Sequence, residues 1–106
     1  MKNLVALVVL LISGIGFSQS AKPVLEAEGQ LVKATYHYDN GNIQQVGYFK
    51  DGKLEGKWIA YDAQGNKLSV GEYSNGQKTG KWFFWNDAKL SQVDYSNNQV
   101  AYVTTH

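Results

Sequence analysis

The chain has no cysteine and no arginine, and only one proline, one methionine and two histidines in 106 residues. Without cysteine there is no disulfide, no thiolate metal site and no cysteine-linked lipid. Without arginine the guanidinium fork that dominates specific base contacts is missing. The two histidines, His37 and His106, stand far apart in sequence. They do not suggest a rigid set of three or four metal ligands, nor a Ser-His-Asp arrangement, which would have to run through His37. Glycines recur singly between apolar stretches and never open a helix, so neither a dinucleotide fingerprint nor a phosphate-binding Walker loop is present. A nucleotidyltransferase of the nicotinic acid mononucleotide adenylyltransferase kind would need a Rossmann-like fold and a His-x-Gly-His phosphate site, and neither is found. Nothing in the composition calls for a cofactor.

Charge of one sign is also lacking. Ten lysines oppose nine Asp and Glu. Lys2 precedes an unbroken apolar run, Leu4 to Ile12, followed by small and polar residues to Ser20. That order of charge, apolar core and small residues is the order of a secretory signal peptide. The run is too short for a membrane span, which needs about 20 apolar residues. Gly16 and Ser18 fit the −3 and −1 positions of a cleavage after Ser18, and cleavage after Ser20 is the alternative. Residues 1–18 are therefore expected to be removed on export to the periplasm or the medium, leaving a soluble chain with balanced charge. That balance disfavours nucleic acid and anionic membrane surfaces.

Residues 19–27 hold the only proline and no periodicity, and read as a leader. Residues 28–106 read as one domain of short strands rich in Tyr, Trp, Phe, Val and Ile. The breaks between them fall at Asn40-Gly41, Asp51-Gly52, Gln64-Gly65-Asn66, Asn75-Gly76 and Asn97-Asn98. Asn-Gly and Asp-Gly between apolar runs favour the type I′ hairpin, in which both central residues need positive φ. The expected fold is all-β: a single antiparallel meander sheet of repeated hairpins with about six or seven strands.

The hairpins repeat. Gly47 to Asp62 aligns without a gap on Gly71 to Asn86. Gly47/Gly71, Gly52/Gly76, Gly56/Gly80, Lys57/Lys81 and Trp58/Trp82 are identical, and Phe49/Tyr73 and Tyr61/Trp85 are near matches. One such unit cannot bury its own apolar face, so copies must stack. Degenerate units flank the pair: "YHYDNGNIQQVGYF" before it and "LSQVDYSNNQVAYV" after it, the latter read as a cap because Asn98 replaces the turn glycine.

The run "NGNIQQVGYFKDGKLEGKWIAYDAQGNKLSVGEYSNGQKTGKW" resembles the variant form of the MORN repeat (membrane occupation and recognition nexus), found in exported bacterial proteins that carry an antitoxin-like family label. The resemblance covers roughly Tyr36 to Tyr95. It implies an elongated sheet of hairpins, no catalytic residues, and contact with other proteins or membranes. Export sits awkwardly with a cytoplasmic antitoxin role.

Gly52, Gly56, Trp58, Gly76, Gly80 and Trp82 are thus expected to be structural repeat positions. Alternation puts Tyr61 and Trp85 on the face opposite Trp58 and Trp82. Tyr61, Tyr73 and Trp85 are the candidate partner-binding residues. The expected function is a non-catalytic protein-interaction or scaffold module, with another protein or a second copy of itself as partner. A carbohydrate-binding module using the same aromatics as stacking surfaces is the alternative, and an enzyme the third class. Asp39, Asp51, Asp62 and Asp87 sit in or beside turns, where aspartate bonds local backbone, and no pair of them stands out for glycoside hydrolysis. The signal-peptide reading predicts that the protein recovered from its own cell begins at Gln19 or Ala21 by intact mass; a chain still carrying Met1 contradicts it.

Overall fold

A computed structural model describes residues 22–87 and 89–105. The expected signal peptide lies outside the described residues. The rest is a single antiparallel sheet whose strand order is the order of the chain: β1 (Val24–Glu28), β2 (Leu31–His37), β3 (Ile43–Lys50), β4 (Lys53–Tyr61), β5 (Lys67–Ser74), β6 (Gln77–Asn86), β7 (Lys89–Ser96) and β8 (Gln99–Thr105). It is the expected meander with eight strands instead of six or seven. The first of them, Val24–Glu28, takes in residues 24–27 of the segment read as a leader and pairs with β2 in register from Val24↔Thr35 to Glu28↔Leu31. Its five residues are too few to show a period, and all are exposed.

Five of the turns fall into two kinds. Asp51-Gly52, Asn75-Gly76 and Asn97-Asn98 each have positive φ at both positions, 51° and 78°, 56° and 86°, and 51° and 71°. These are the type I′ reversals that join β3–β4, β5–β6 and β7–β8, and Asn98 holds the glycine position because asparagine tolerates the left-handed region. At the other end of the sheet the expectation for Asn40-Gly41 is corrected. Only Gly41 of that pair has positive φ, 91°, and the loop closes with Gly41 N–H on Tyr38 C=O at 3.0 Å and Tyr38 N–H on Asn42 C=O at 2.8 Å. The loop has three residues, with glycine last, so one left-handed residue suffices. Asp62 to Asn66 repeats it, with the corresponding bonds at 3.0 and 2.8 Å.

The Gly-Lys-Trp triplets explain the core. Between the pairs Val46↔Ile59 and Tyr48↔Glu55, the single residue Gly47 of β3 faces Gly56, Lys57 and Trp58 of β4. Between Val70↔Phe83 and Glu72↔Thr79, Gly71 faces Gly80, Lys81 and Trp82 in the same way. Each is a bulge, opened by a glycine at positive φ, Gly56 at 76° and Gly80 at 71°. The bulge lays the tryptophan across the facing strand. A Cβ built on Gly47 would stand 1.9 Å from Trp58 Cδ2, and one on Gly71 1.9 Å from Trp82 Cδ2. Each indole N–H then donates to a carbonyl of that same strand, Trp58 to Tyr48 and Trp82 to Glu72, both at 3.0 Å. Both rings are 5% exposed.

Turns tie one hairpin to the next. Gly76 N–H donates to Leu54 C=O at 2.9 Å and Asn98 N–H to Lys78 C=O at 2.9 Å. Glu55 accepts from Asn75 N–H at 2.9 Å, and Asn98 Oδ1 accepts from Lys78 N–H at 2.6 Å. At the opposite end Ala63 C=O accepts from both Asn40 and Asn42 side-chain amides, at 2.9 and 2.8 Å, and Tyr61 C=O from the Tyr38 hydroxyl at 2.7 Å. Hairpins thus cross-link at both ends as well as along the strands. Because the indole occupies the space of a Cβ, Gly71→Ala is expected to lower unfolding free energy by about 1–3 kcal/mol, measured by denaturant titration. Ser69→Ala, on the same strand and the same face, is the control and should change little.

Candidate interaction surfaces

Cross-strand partners share a face of the sheet, so the register sorts the side chains. One face carries a line of aromatic rings that crosses five strands. Phe49 meets Trp58 at 5.3 Å and 79°, Trp58 meets Tyr73 at 6.2 Å and 84°, Tyr73 meets Trp82 at 5.1 Å and 89°, and Trp82 meets Tyr95 at 5.9 Å and 77°. Edge-to-face contacts of this kind contribute roughly 0.5–1.5 kcal/mol each beyond their buried area. The Lys78 ammonium lies 5.3 Å from the Trp82 ring centroid and 5.0 Å from that of Tyr95. Ala34, Tyr36 and Leu54 are buried with Phe49 and Trp58.

Tyr73 belongs to this line, which corrects its expected grouping with Tyr61 and Trp85. Its partners are Gly56 and Lys78, and its ring is held between the two tryptophans. Burial raises its hydroxyl pKa above the ordinary value, with Tyr95 adding to the shift. The signal that would have placed it was its alignment with Phe49, a core residue in the preceding unit.

The opposite face is half-buried and apolar across its centre. Val46 pairs with Ile59, Ile59 with Val70, and Val70 with Phe83. Trp85 pairs with Leu90 and lies 6.5 Å from Phe83 at 36°. Tyr61 stands at the same end of the sheet, paired with Lys67 across a bulge. A groove of about 750 Å³ runs beside Trp85, lined also by Leu68, Lys67, Asp62, Asn66 and Asp87. A second depression, of about 360 Å³, is floored by Val70 and Phe83 and edged by Lys57, Glu72 and Lys81. Lys57 pairs with Glu72 and Lys81 with Asp94, so a row of alternating charge borders the apolar one.

Asp62 is committed to its turn. Its carboxylate accepts from Asn66 N–H at 2.9 Å, from Gln64 N–H at 3.0 Å and from the Asn66 side-chain amide at 3.2 Å. The Asn66 backbone bond is the main reason its pKa lies below the ordinary value; burial acts the other way and is outweighed by the hydrogen bonds together. Among the described residues no three of His, Asp and Glu come together in a way that could hold a metal ion. His37 is half-buried at the end of β2, next to the bulge that follows Tyr36.

One cluster escaped the sequence reading. Tyr36 and Gln45 are register partners, and Gln44 is the extra residue of the adjoining bulge. Tyr36 and Gln44 are 1% and 0% exposed. The Tyr36 hydroxyl, both polar atoms of the Gln44 amide and the Gln45 amide nitrogen have no hydrogen-bond partner among the described residues. The visible cue was the pair Gln44-Gln45, two polar residues in a row where strand alternation should place one.

Set against known proteins, the chain matches no family model and no curated protein.

Burial pushes the Tyr36 hydroxyl up to about 12. A raised tyrosine pKa means that the native state keeps a proton the unfolded chain gives up, so its contribution to stability is whole below pH ~10 and is lost as pH rises toward ~12. Unfolding followed by circular dichroism from pH 8 to the alkaline limit is expected to show that fall. Tyr36→Phe should flatten part of it, and an unchanged alkaline profile in that variant contradicts the assignment.

Proposed function

We propose that this chain is a non-catalytic, exported interaction module of the variant MORN-repeat kind, which offers the face around Tyr61 and Trp85 to a protein partner. The observation that carries the reading is the division of labour between the faces. The Trp58–Tyr73–Trp82 line is spent on holding the hairpins together, whereas Val46, Ile59, Val70, Phe83 and Trp85 form a contiguous half-buried row with a charged border. An apolar centre rimmed by charge is the usual make-up of a protein contact, and tryptophan and tyrosine are the residues most often decisive in one. A periplasmic or secreted location goes with the reading of residues 1–18, and neither nucleic acid nor a cofactor is part of it.

A second reading rests on the groove beside Trp85. An indole flanked by Asp62, Asn66 and Asp87 has the components that bind a sugar, a stacking surface with amide and carboxylate groups at its edge. The two readings part in one experiment. Trp85→Ala is expected to weaken capture of a partner from the envelope fraction of the native cell by tenfold or more, about 1.4 kcal/mol, with the melting temperature unchanged. If tryptophan fluorescence responds instead to polysaccharide and the response goes with Trp85, the carbohydrate reading replaces the first. Binding that ignores Trp85 in both assays removes this face from the function.

A further inference from the structure

Among the described residues the meander does not close, and its two edge strands differ. β1 follows Pro23, which has no N–H to offer, and carries Glu26 and Glu28 in a strand of five residues. Proline and charge on a short strand are the devices that keep an edge from pairing. β8 has none of them. Its seven residues, QVAYVTT, include no charge, no proline and no glycine. Val100, Tyr102 and Val103 are 58%, 60% and 56% exposed, the three most exposed large apolar side chains among the described residues. The last described hairpin also departs from the repeat. Aligned on its turn, the last hairpin has Val93 where Gly71 stands and Thr104 where Trp82 stands, so the aromatic line ends at Tyr95 and no indole folds over the final strand.

We propose that β8 pairs antiparallel with β8 of a second copy, joining two sheets across a twofold axis. Three features select that occupant. Self-pairing brings no like charges together in any register, because no residue from Gln99 to Thr105 is charged. Pairing of β1 with β1 would bring Glu26 and Glu28 of one copy close to those of the other, and pairing of β8 with β1 would run on as an open fibre instead of closing. The twofold arrangement closes, and leaves outward only the edges that Pro23, Glu26 and Glu28 protect. Val100 and Val103 then continue the apolar strip of Val93 and Tyr95, their register partners on β7 being Tyr95 and Val93 respectively. The surface is separate from the Trp85 face, so either can be present without the other.

Light scattering on the protein as its cell processes it, from micromolar to millimolar, tests this. A strand-long contact is small, so the mass is expected to rise from one chain to two within that range and to stop at two. The double variant Val100→Lys/Val103→Lys places like charges across the axis and is expected to weaken association by roughly tenfold or more, with the β-sheet circular dichroism kept. Hydrogen exchange on the unaltered protein is the second readout, since it does not depend on the variant folding. Amides of β8 should gain protection as concentration rises while those of β1 do not. A monomer throughout the range, a dimer indifferent to the lysines, protection gained at β1, or growth beyond two chains each overturns the proposal.

Discussion

Everything in this sheet depends on an indole lying flat against the Cα of a glycine on the neighbouring strand. The contact sets three requirements at once. The floor must lack a Cβ, which Gly47 and Gly71 satisfy. The strand bearing the ring must bulge so that the ring reaches back, which Gly56 and Gly80 allow. The ring must be pinned in the plane, which the bonds to Tyr48 and Glu72 accomplish. A hairpin with only one of the three would leave a large apolar ring on a surface with nothing above it. Met together, they let a sheet with no second layer among the described residues bury Trp58 and Trp82 to 5% exposure.

That solution consumes one face and frees the other. Phe49, Tyr73 and Tyr95 fill the spaces between and beside the indoles, so the aromatic residues on that side act as mortar. The opposite face has no such device, and its Val46, Ile59, Phe83 and Trp85 stay half-buried. The apolar side chains of that face are not fully covered by others of the sheet, and for that reason the functional reading rests there and not on the more conspicuous tryptophans.

Much of this was legible before any coordinates. The triplets Gly56-Lys57-Trp58 and Gly80-Lys81-Trp82 announced the repeat, Asp51-Gly52 and Asn75-Gly76 announced type I′ turns, and the turn spacing announced a meander. What stayed hidden has physical reasons. β1 has five exposed residues and takes its conformation from pairing with β2, a tertiary cause that composition does not carry. Tyr73 was grouped with Tyr61 and Trp85 because the face of a residue on β5 relative to β4 and β6 depends on the register between strands, and the bulges that set it are properties of two strands. Gln44 and Gln45 look like solvent-facing residues until the register makes Tyr36 the neighbour of Gln45. That Gly47 and Gly71 serve as floors was not visible either, since a glycine inside a strand records only that a side chain is absent, not what lies in its place.

Proton chemical shifts of the glycine Hα atoms test the central contact most directly. A proton under the face of an indole is shifted far upfield, so Gly47 and Gly71 should stand apart from the other glycines of the sheet. Trp82→Leu should return Gly71 to the ordinary range while leaving Gly47 displaced beneath Trp58. Ordinary Hα shifts at both glycines in the unaltered protein would mean that the rings do not lie on the neighbouring strand, and that the hairpins are held together by some other contact.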